Sequence, residues 1–483
     1  MADVIVIGAG VGAMACALRL VEAGHRVEIF EAAPTVGGKL GVYERDGFRF
    51  DTGPSLVTMP HLLREVIGDD VVLRRLDPIA RYRFGDGTGW DAPDGELAVT
   101  AAAERLRAGN GAEWSRFWER AERIWEASHG PFLESPLAGM KTLVAQARHV
   151  DDLRAIAPWQ SLRKLAHRHL SDPRLVTFVD RYATYAGSDP RRAPAALAAI
   201  VYAERRFGAW YVDGGLRCIA DALMARLKQK GVAVRLSAPV TRIVTDGGRA
   251  AGIEVDGRVR RADVVVANAD ASQVYGSLVD VPSARRRLAR ATPSLSGFVL
   301  CLAVDGPRPP DLAHHTVLFP ERYDDEFDDV FGRSPRPVRD PTVYISVPDD
   351  SAVAPPGSQA WFILVNAPRH EPERGVDWSV QGLSDRYADQ VLEQMAYRGI
   401  DVRSRVRWRE VHARRPGTPD GGARRFDLRL VLQRRHGGLP PPRQSFAAAR
   451  LVPRRRFGSS GGRPSAGAAK RAHRGQPDRP GLN

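Results

Sequence analysis

The N-terminal stretch "DVIVIGAGVGAMACALRLVEAGHRVEIFEA" combines an apolar strand, a glycine-rich turn, a helix and a second strand that ends in an acid. Gly8 permits the tight bend, Gly10 lets the backbone approach a pyrophosphate, Gly12 belongs to the same turn, and Ala13 is the third small position, where helix and strand pack closely. The helix N-terminus offers N–H groups to phosphates. Glu31 is placed to accept hydrogen bonds from a ribose hydroxyl. Any tight strand–helix turn favours glycine, but the full order of elements predicts a Rossmann-type dinucleotide site.

A second glycine-rich segment, "VGGKLGVYERDGFRFDTGPS", follows directly. It resembles the extended fingerprint of the flavin-containing amine oxidase and carotenoid desaturase superfamily, whose second glycine pair faces the flavin diphosphate. The resemblance implies FAD as the cofactor. It adds these candidate cofactor-binding residues: Gly37, Gly38, Lys39, Gly53, Pro54 and Ser55. Lys39 stands where many relatives have Arg, so the positive charge is kept while the bidentate geometry is lost. A hairpin without a cofactor role is the alternative, which the order and spacing disfavour.

The family also returns to the cofactor later in the chain. The stretch "APVTRIVTDGGRAAGIEVDGRVRRADVVVANAD" predicts short strands with a hairpin at Gly247 and Gly248. By resemblance, Val240 matches a position whose backbone contacts the adenine. Asn268 and Asp270 lie in the closing turn. Taken as structure alone, the segment is a β-meander.

Two further stretches narrow the family: "RYATYAGSDPRRAPAALAAIVYAERRFGAWYVDGGL" in mid-chain and "DPTVYISVPDD" later. Together with the fingerprint they resemble bacterial phytoene desaturases, from residue 3 to about residue 411. The resemblance implies an FAD-dependent desaturase that removes two hydrogens from a CH–CH unit of a lipophilic polyene such as phytoene. No strong side-chain base is required, because the polyene can stabilise an allylic cation, so we assign no catalytic residue.

Two alternatives stay open. An amine-oxidase-like or other polyene-metabolising flavoenzyme would keep the fold and change the chemistry. A non-catalytic remnant would belong to another class altogether.

The expected fold is α/β, with a Rossmann-type FAD-binding domain that is split in sequence and a helical, then mixed, substrate domain inserted between its parts. At 483 residues the chain is too long for one simple core. The expected boundaries are 1–80 and 206–275 for the FAD-binding domain, 81–205 and 276–411 for the substrate domain, and 412–483 for a basic, non-native tail.

Aromatic residues with helical spacing occur in "EWSRFWERAERIWEASHG". Trp114, Phe117, Trp118 and Trp125 share one predicted helix face. This face could dip into a membrane interface and admit a lipid-soluble substrate, or it could pack in the core. Three scattered cysteines and the lack of an apolar run long enough to span a bilayer indicate a cytoplasmic protein, with any membrane contact peripheral on the inner face of the cell membrane.

Two polar clusters do not predict a metal site. His314 and His315 are adjacent and, within a strand, would point to opposite faces. The "DDEFDD" run at residues 324–329 lacks the spacing of a calcium loop and predicts a solvated turn. We therefore expect no metal.

The net charge of +14 is confined to the end of the chain. Residues 411–483 contain 17 Lys and Arg against 3 Asp and Glu, whereas residues 1–410 are neutral overall. The body is therefore not steered toward polyanions, and we expect no nucleic-acid partner. After Glu410 the chain has no Glu, Ile, Met, Trp or Tyr, a composition that predicts disorder.

Our hypothesis for this tail is a reading-frame slip near His412. Translated one base onward with permitted synonymous codons, "VPRRRFGSSGGRP" can be read as "LVGGSAHPGGGP", which resembles the family's C-terminal flavin motif. The alternative is a basic arm that binds nucleic acid or an anionic membrane. A slipped chain would lack the segment that closes the flavin site, so we expect impaired activity of the chain as written.

Overall fold

The computed structural model describes residues 1–133, 156–157 and 159–412. The basic tail after His412, to which the frame-slip hypothesis applies, lies outside the described residues. So do residues 134–155 and 158 of the expected substrate domain. The helices are α1 Val11–Glu22, α2 Pro60–Ile67, α3 Glu96–Leu106, α4 Asn110–Leu133, α5 Leu162–His169, α6 Pro173–Tyr185, α7 Ala198–Phe207, α8 Arg217–Gln229, α9 Ala271–Gln273, α10 Pro282–Arg290, α11 Tyr323–Phe331 and α12 Leu383–Tyr397.

The strands are short, and most belong to two larger sheets. They are β1 Asp3–Ile7, β2 Arg26–Phe30, β3 Val42–Arg45, β4 Phe48–Asp51, β5 Leu73–Arg75, β6 Ala80–Arg83, β7 Gly89–Ala92, β8 Trp210–Val212, β9 Ala233–Arg235, β10 Val240–Asp246, β11 Arg249–Val255, β12 Arg258–Arg261, β13 Val264–Ala267, β14 Ser296–Asp305, β15 His315–Leu318, β16 Val343–Ser346, β17 Ser358–Ala367 and β18 Val406–His412.

A four-stranded parallel sheet has the order β13-β1-β2-β9. Its strands come from both ends of the first 270 residues, with Val4 opposite Val264 and Ile7 opposite Ala267. The strand order reverses between β1 and β13. In open parallel sheets, ligands bind at such a switch point, outside the carboxyl ends of the strands.

The small antiparallel sheet β10-β11-β12 lies beside this parallel sheet. Asp246 pairs with Arg249, so Gly247 and Gly248 form a two-residue turn. Both glycines have positive φ, 55° and 75°, as a type I′ hairpin turn requires. The predicted hairpin is confirmed.

A seven-stranded sheet, β18-β14-β17-β16-β15-β6-β7, forms the second half of the molecule. Its strands alternate side chains between two buried faces. Phe298, Leu300 and Ile363 belong to the cluster that packs on α12. Cys301 and Phe362 belong to the opposite face, which packs on the β3–β4 hairpin through Phe48 and Phe50. This second face therefore lies toward the half of the molecule that contains the parallel sheet.

The aromatic face of α4 packs in the protein core. Trp114 and Phe117 are 0% exposed and Trp118 is 3% exposed. They join residues of α6 and α7 in one cluster, against which Trp125 also packs. The membrane interpretation of this face was wrong, because the face is covered by helices distant in sequence. The interpretation as core is confirmed.

The acidic run at residues 324–329 forms most of helix α11. The expected solvated turn was wrong, since Glu326 and Asp329 are buried. The Glu326 carboxylate accepts hydrogen bonds from the Thr342 N–H at 2.7 Å and from the Asn366 side chain at 2.5 Å. Within this acidic run, Glu326 therefore binds neighbouring segments of the chain instead of facing water.

Asp172 caps helix α6 from a buried position, with its side chain 1% exposed. Its carboxylate accepts hydrogen bonds from the Arg174 N–H at 3.0 Å and from the Asn110 side chain at 2.9 Å. Burial alone would raise the pKa of Asp172, but the hydrogen bonds from Arg174 and Asn110 hold it at about 2. A lowered carboxyl pKa stabilises the fold above the unfolded-state pKa of about 4, and that contribution is lost as the pH falls toward 2.

We expect the substitution Asp172→Asn to lower the free energy of unfolding by roughly 2–3 kcal/mol at pH 7, because it removes a charge-assisted cap. Urea unfolding followed by tryptophan fluorescence would measure it, with the difference from wild type shrinking between pH 4 and pH 2. Asp86→Asn is the matched control, since Asp86 lies 3.9 Å from the same arginine and is exposed. Equal effects of the two substitutions would contradict the assignment.

Candidate functional site

The first glycine turn lies at the carboxyl ends of β1 and β13. Gly8 has φ +93°, a conformation that favours glycine, and a Cβ at this position would lie 3.0 Å from the carbonyl oxygen of Asn268. The Gly8 N–H donates to the carbonyl of Phe30 at 2.7 Å. The turn is therefore fixed by neighbouring strands on both sides and leaves no room for a side chain at residue 8.

Helix α1 begins directly after this turn with Gly10 as its N-cap, and no side chain caps it. The N–H groups of a first helical turn have no partner within the helix, so they and the helix dipole favour an anion there. Ala13 is 0% exposed and belongs to the same apolar cluster as Val4 and Val6. The small residue thus brings the helix close to the strand.

The second glycine pair packs directly on the first turn. Gly37 and Gly10 form an isolated parallel bridge, and the Gly37 N–H donates to the Ala9 carbonyl at 2.8 Å. Gly38 has φ +57°, and a Cβ there would lie 3.0 Å from the Cα of Gly10. Two segments recognised separately in the sequence therefore form one backbone cradle.

Glu31 closes one side of this cradle. Its carboxylate accepts hydrogen bonds from the Ala9 N–H at 2.6 Å and the Ala33 N–H at 2.8 Å, one on each oxygen. Each oxygen keeps a lone pair for another donor. Val240 begins β10 two residues after Ala238, whose N–H donates to the Glu31 carbonyl at 2.9 Å. Val240 therefore lies on the Glu31 side of the site.

Asn268 also borders the first glycine turn, although the sequence predicted only a turn at this position. Its N–H donates to the Ile7 carbonyl at 2.9 Å. Its side chain lies 3.3 Å from where a Cβ would stand at Gly10 and 3.2 Å from where one would stand at Gly12. The signal that could have found it is its position, since a polar residue directly after a parallel strand next to β1 faces the switch point.

Lys39 and Gly53 connect the cradle to the rest of the site through backbone packing. A Cβ at Gly53 would lie 1.9 Å from the Lys39 carbonyl oxygen, so only glycine fits. The Lys39 side chain is exposed, as is Pro54. Ser55 follows and donates to or accepts from the hydroxyl of Tyr344 on the seven-stranded sheet. The loop therefore runs from the cradle to the second half of the molecule.

Asp51 caps a second helix at the same place. Its carboxylate accepts hydrogen bonds from the Leu216 N–H at 2.7 Å and the Arg217 N–H at 3.3 Å, at the start of α8. Burial raises the pKa of Asp51, and these two N–H groups oppose that rise. The carboxylate serves as a helix cap.

A cleft lies between the two halves of the molecule, next to Asp51 and Ser55. Phe50 and Gly215 line its side toward the parallel sheet, and Ser346 lines its other side. The remaining lining residues are Arg49, Tyr211, Gly214, Pro348, Val353, Ala360 and Phe362. The cleft thus joins a mostly apolar wall of the seven-stranded sheet to the loop that follows the cradle.

The histidine pair contacts a residue of this cleft, since the ring centre of His314 lies 4.7 Å from that of Tyr211. The rings of His314 and His315 are 4.6 Å apart, so the expectation of opposite faces was wrong. The reason is that β15 begins at His315 and His314 lies in the bend before it. Among the described residues, no group of three or more His, Cys, Asp or Glu side chains could hold a metal ion.

The cradle fits a dinucleotide. Side chains at Gly8, Gly38 or Gly53 would collide with backbone, and α1 presents an uncapped N-terminus.

None of the helices in the described part of the chain has the length and hydrophobicity that a membrane span requires.

Comparison with known proteins agrees with this geometry. A family model described as flavin containing amine oxidoreductase matches residues 14–370. A 4,4'-diapolycopene oxygenase of Methylomonas sp. is 33% identical over 77% of this chain and 76% of its own length. A zeta-carotene-forming phytoene desaturase of Myxococcus xanthus is 31% identical, covering 88% and 82%. A hydroxyneurosporene desaturase of Cereibacter sphaeroides is 34% identical, covering 78% of each chain.

The fold also has solved counterparts. An oxidoreductase from Methanosarcina mazei superposes with a TM-score of 0.58 at 20% identity, covering 85% of this chain and 87% of that one. Because the family model spans most of the sequence and the cradle accommodates a dinucleotide, the chain belongs to the flavin-containing amine oxidoreductase family and its cofactor is FAD.

Proposed function

We propose that this protein is an FAD-dependent oxidoreductase that desaturates a lipophilic polyene of the phytoene type. The observation that carries the proposal is the mostly apolar cleft that continues from the dinucleotide cradle, in which the carboxylate of the lining residue Asp51 is bound to backbone N–H groups. The desaturases among the relatives support the same reaction class. The oxygenase relative favours a second candidate, oxidation of a polyene end group by the same cofactor.

Each group of cradle residues is proposed to bind a particular part of FAD. The diphosphate would bind at the start of α1, where free backbone N–H groups and the positive end of the helix dipole both favour an anion. The residues that form this part of the site are Gly8, Gly10, Gly12 and Ala13. Glu31 would accept hydrogen bonds from the ribose. The other proposed cofactor-binding residues are Gly37, Gly38, Lys39, Gly53, Pro54, Ser55 and Val240.

FAD, when bound, supplies the hydride acceptor for a C–H bond next to conjugated double bonds. The chain's own contribution is to orient the polyene and exclude water. Phe50, Val353, Ala360 and Phe362 are all less than 10% exposed and give the cleft its apolar side. Asp350 accepts hydrogen bonds from the Tyr211 hydroxyl at 2.9 Å and the Gly214 N–H at 2.7 Å, so it is engaged as a structural acceptor. We assign no catalytic base.

The frame slip near His412 is part of the proposal. Among the described strands, β13 pairs with β1 alone, so one edge of the parallel sheet is open beside the cradle. The shifted-frame sequence offers an apolar strand followed by glycines, which suits that edge. The domain limits expected from the sequence are proposed with it: 1–80 and 206–275 for FAD, 81–205 and 276–411 for the substrate.

Peripheral contact with the inner face of the cell membrane is also proposed. The buried α4 face no longer supports it. Its support is the lipophilic nature of the proposed substrate and Trp159, which is 60% exposed and precedes α5 in the chain.

The substitution Gly38→Ala should weaken FAD binding at least tenfold, because the added methyl group would press on Gly10 and displace the cradle. Titration with FAD, followed by flavin fluorescence, would measure the affinity. Gly87→Ala is the matched control: Gly87 also has positive φ, +81°, but an added Cβ meets nothing within 4 Å. Unchanged FAD affinity in Gly38→Ala would contradict the proposed cofactor position.

Sequencing the coding DNA around His412 should reveal a single-base slip. The chain as written and the restored-frame protein should then be expressed and purified in parallel. The chain as written should show much lower absorbance from bound flavin per mole of protein, because its flavin site is not closed. An intact frame on repeated sequencing, or equal FAD occupancy of the two proteins, would overturn the slip.

The restored-frame protein, loaded with FAD and given phytoene in detergent micelles, should produce polyenes with absorption bands at longer wavelengths. The chain as written should produce little. Loaded restored protein that oxidises an amine and leaves phytoene unchanged would favour the amine-oxidase-like alternative, and one that does neither would favour the remnant.

A further inference from the structure

Arg181 on α6 is a buried cation without a carboxylate partner. It is 8% exposed, and its Nε atom is buried and has no hydrogen-bond partner. Within the part of the chain that the structure describes, no acid forms an ion pair with it. Instead, its guanidinium carbon lies 5.4 Å from the ring centre of Tyr185 and 5.3 Å from that of Tyr344. Aromatic faces attract a cation but accept none of its N–H hydrogen bonds in full.

A neighbouring arginine shows how this fold satisfies a buried cation when its role is structural. Arg205 is 1% exposed and donates to the Glu204 carboxylate at 2.9 Å and to the Tyr182 hydroxyl at 2.9 Å. Its Nε, like that of Arg181, has no hydrogen-bond partner, so the difference between the two arginines is the carboxylate. A buried charge that lacks such partners costs stability. Arg181 therefore lacks the partners that Arg205 has, which points to a ligand.

Arg181 does not line the cleft itself but packs on the ring of Tyr344, which is bonded to the cleft residue Ser55. Tyr344, whose ring it covers, shares one face of β16 with Ser346, and Ser346 lines the cleft. The Tyr344 hydroxyl is hydrogen-bonded to Ser55, which lines the cleft as well. One tyrosine ring thus connects the guanidinium to the wall of the proposed substrate site.

A second unpartnered polar atom borders the same ring. His315 pairs with Ser346 across the strands, so both side chains project from the same face, and its ring centre lies 5.6 Å from that of Tyr344. Its Nε2 atom is buried without a hydrogen-bond partner. Burial lowers the pKa of His315 to about 4, and the Arg181 cation contributes to this lowering, so the ring is neutral at pH 7.

We propose that Arg181 is a specificity residue that donates hydrogen bonds to an oxygen atom, hydroxyl or carbonyl, at or near one end of the polyene. This inference rests on the proposed function. A pure hydrocarbon offers no acceptor to a guanidinium, whereas an alcohol or aldehyde oxygen supplies one. One relative, the hydroxyneurosporene desaturase, carries a hydroxylated polyene in its name.

Three acyclic C40 polyenes would test this: one with a terminal primary alcohol, the corresponding aldehyde and the parent hydrocarbon, each in detergent micelles with the restored-frame protein and saturating FAD. Quenching of tryptophan fluorescence by the bound polyene gives the affinities. Wild type should bind the alcohol or the aldehyde at least tenfold more tightly than the hydrocarbon, as a charge-assisted hydrogen bond implies. Arg181→Met should abolish the preference, and Arg181→Lys should keep part of it.

Thermal unfolding separates this role from a structural one. Arg181→Met should leave the melting temperature unchanged or raise it, because it removes an uncompensated buried charge. Arg205→Met should lower it, because it leaves Glu204 buried without its partner. Equal affinity of wild type for all three polyenes, or an unchanged preference in Arg181→Met, would overturn the inference alone. Binding of none of the three would overturn the proposed function together with it.

Discussion

The contact between two glycines, Gly10 and Gly38, is the constraint on which the rest of the site depends. The second glycine pair can reach the first turn only because Gly38 carries no side chain, since a Cβ there would lie 3.0 Å from the Cα of Gly10. That approach fixes Lys39, whose carbonyl excludes every residue except glycine at position 53. The loop then continues to Ser55 and the cleft. A chain of backbone contacts therefore aligns the proposed FAD site with the proposed substrate site.

Features set by local rules could be predicted from the sequence. The turn at Gly8, the N-terminus of α1 and the hairpin at Gly247 and Gly248 follow from what glycine permits within a few residues. The role of the second glycine pair and the family were predicted from the resemblance to known flavoenzymes. The family model confirms the family. The direct packing of Gly38 on Gly10 required the structure, since it joins two loops separated by the helix and second strand.

The two wrong predictions about burial share one cause: burial depends on partners that lie far away in the sequence. Trp114 and Phe117 have a periodicity that suits a membrane surface or a core equally, and only packing against α6 and α7 decides between them. The acidic run around Glu326 predicts exposure to solvent, yet this residue is buried and hydrogen-bonded to Thr342 and Asn366. Arg181 gives no sequence signal, because the absence of a partner acid becomes visible only in three dimensions.

The pairing of β1 with β13 has a consequence for biosynthesis. Asp3 emerges from the ribosome first, but the strand that covers its neighbour Val4 on one side begins at Val264. At ordinary translation speeds, roughly ten seconds to a minute separates the two. During that interval the nascent chain exposes an apolar strand edge, which is prone to association with other chains. Chaperone occupancy early in synthesis would protect this fold more than help given after release.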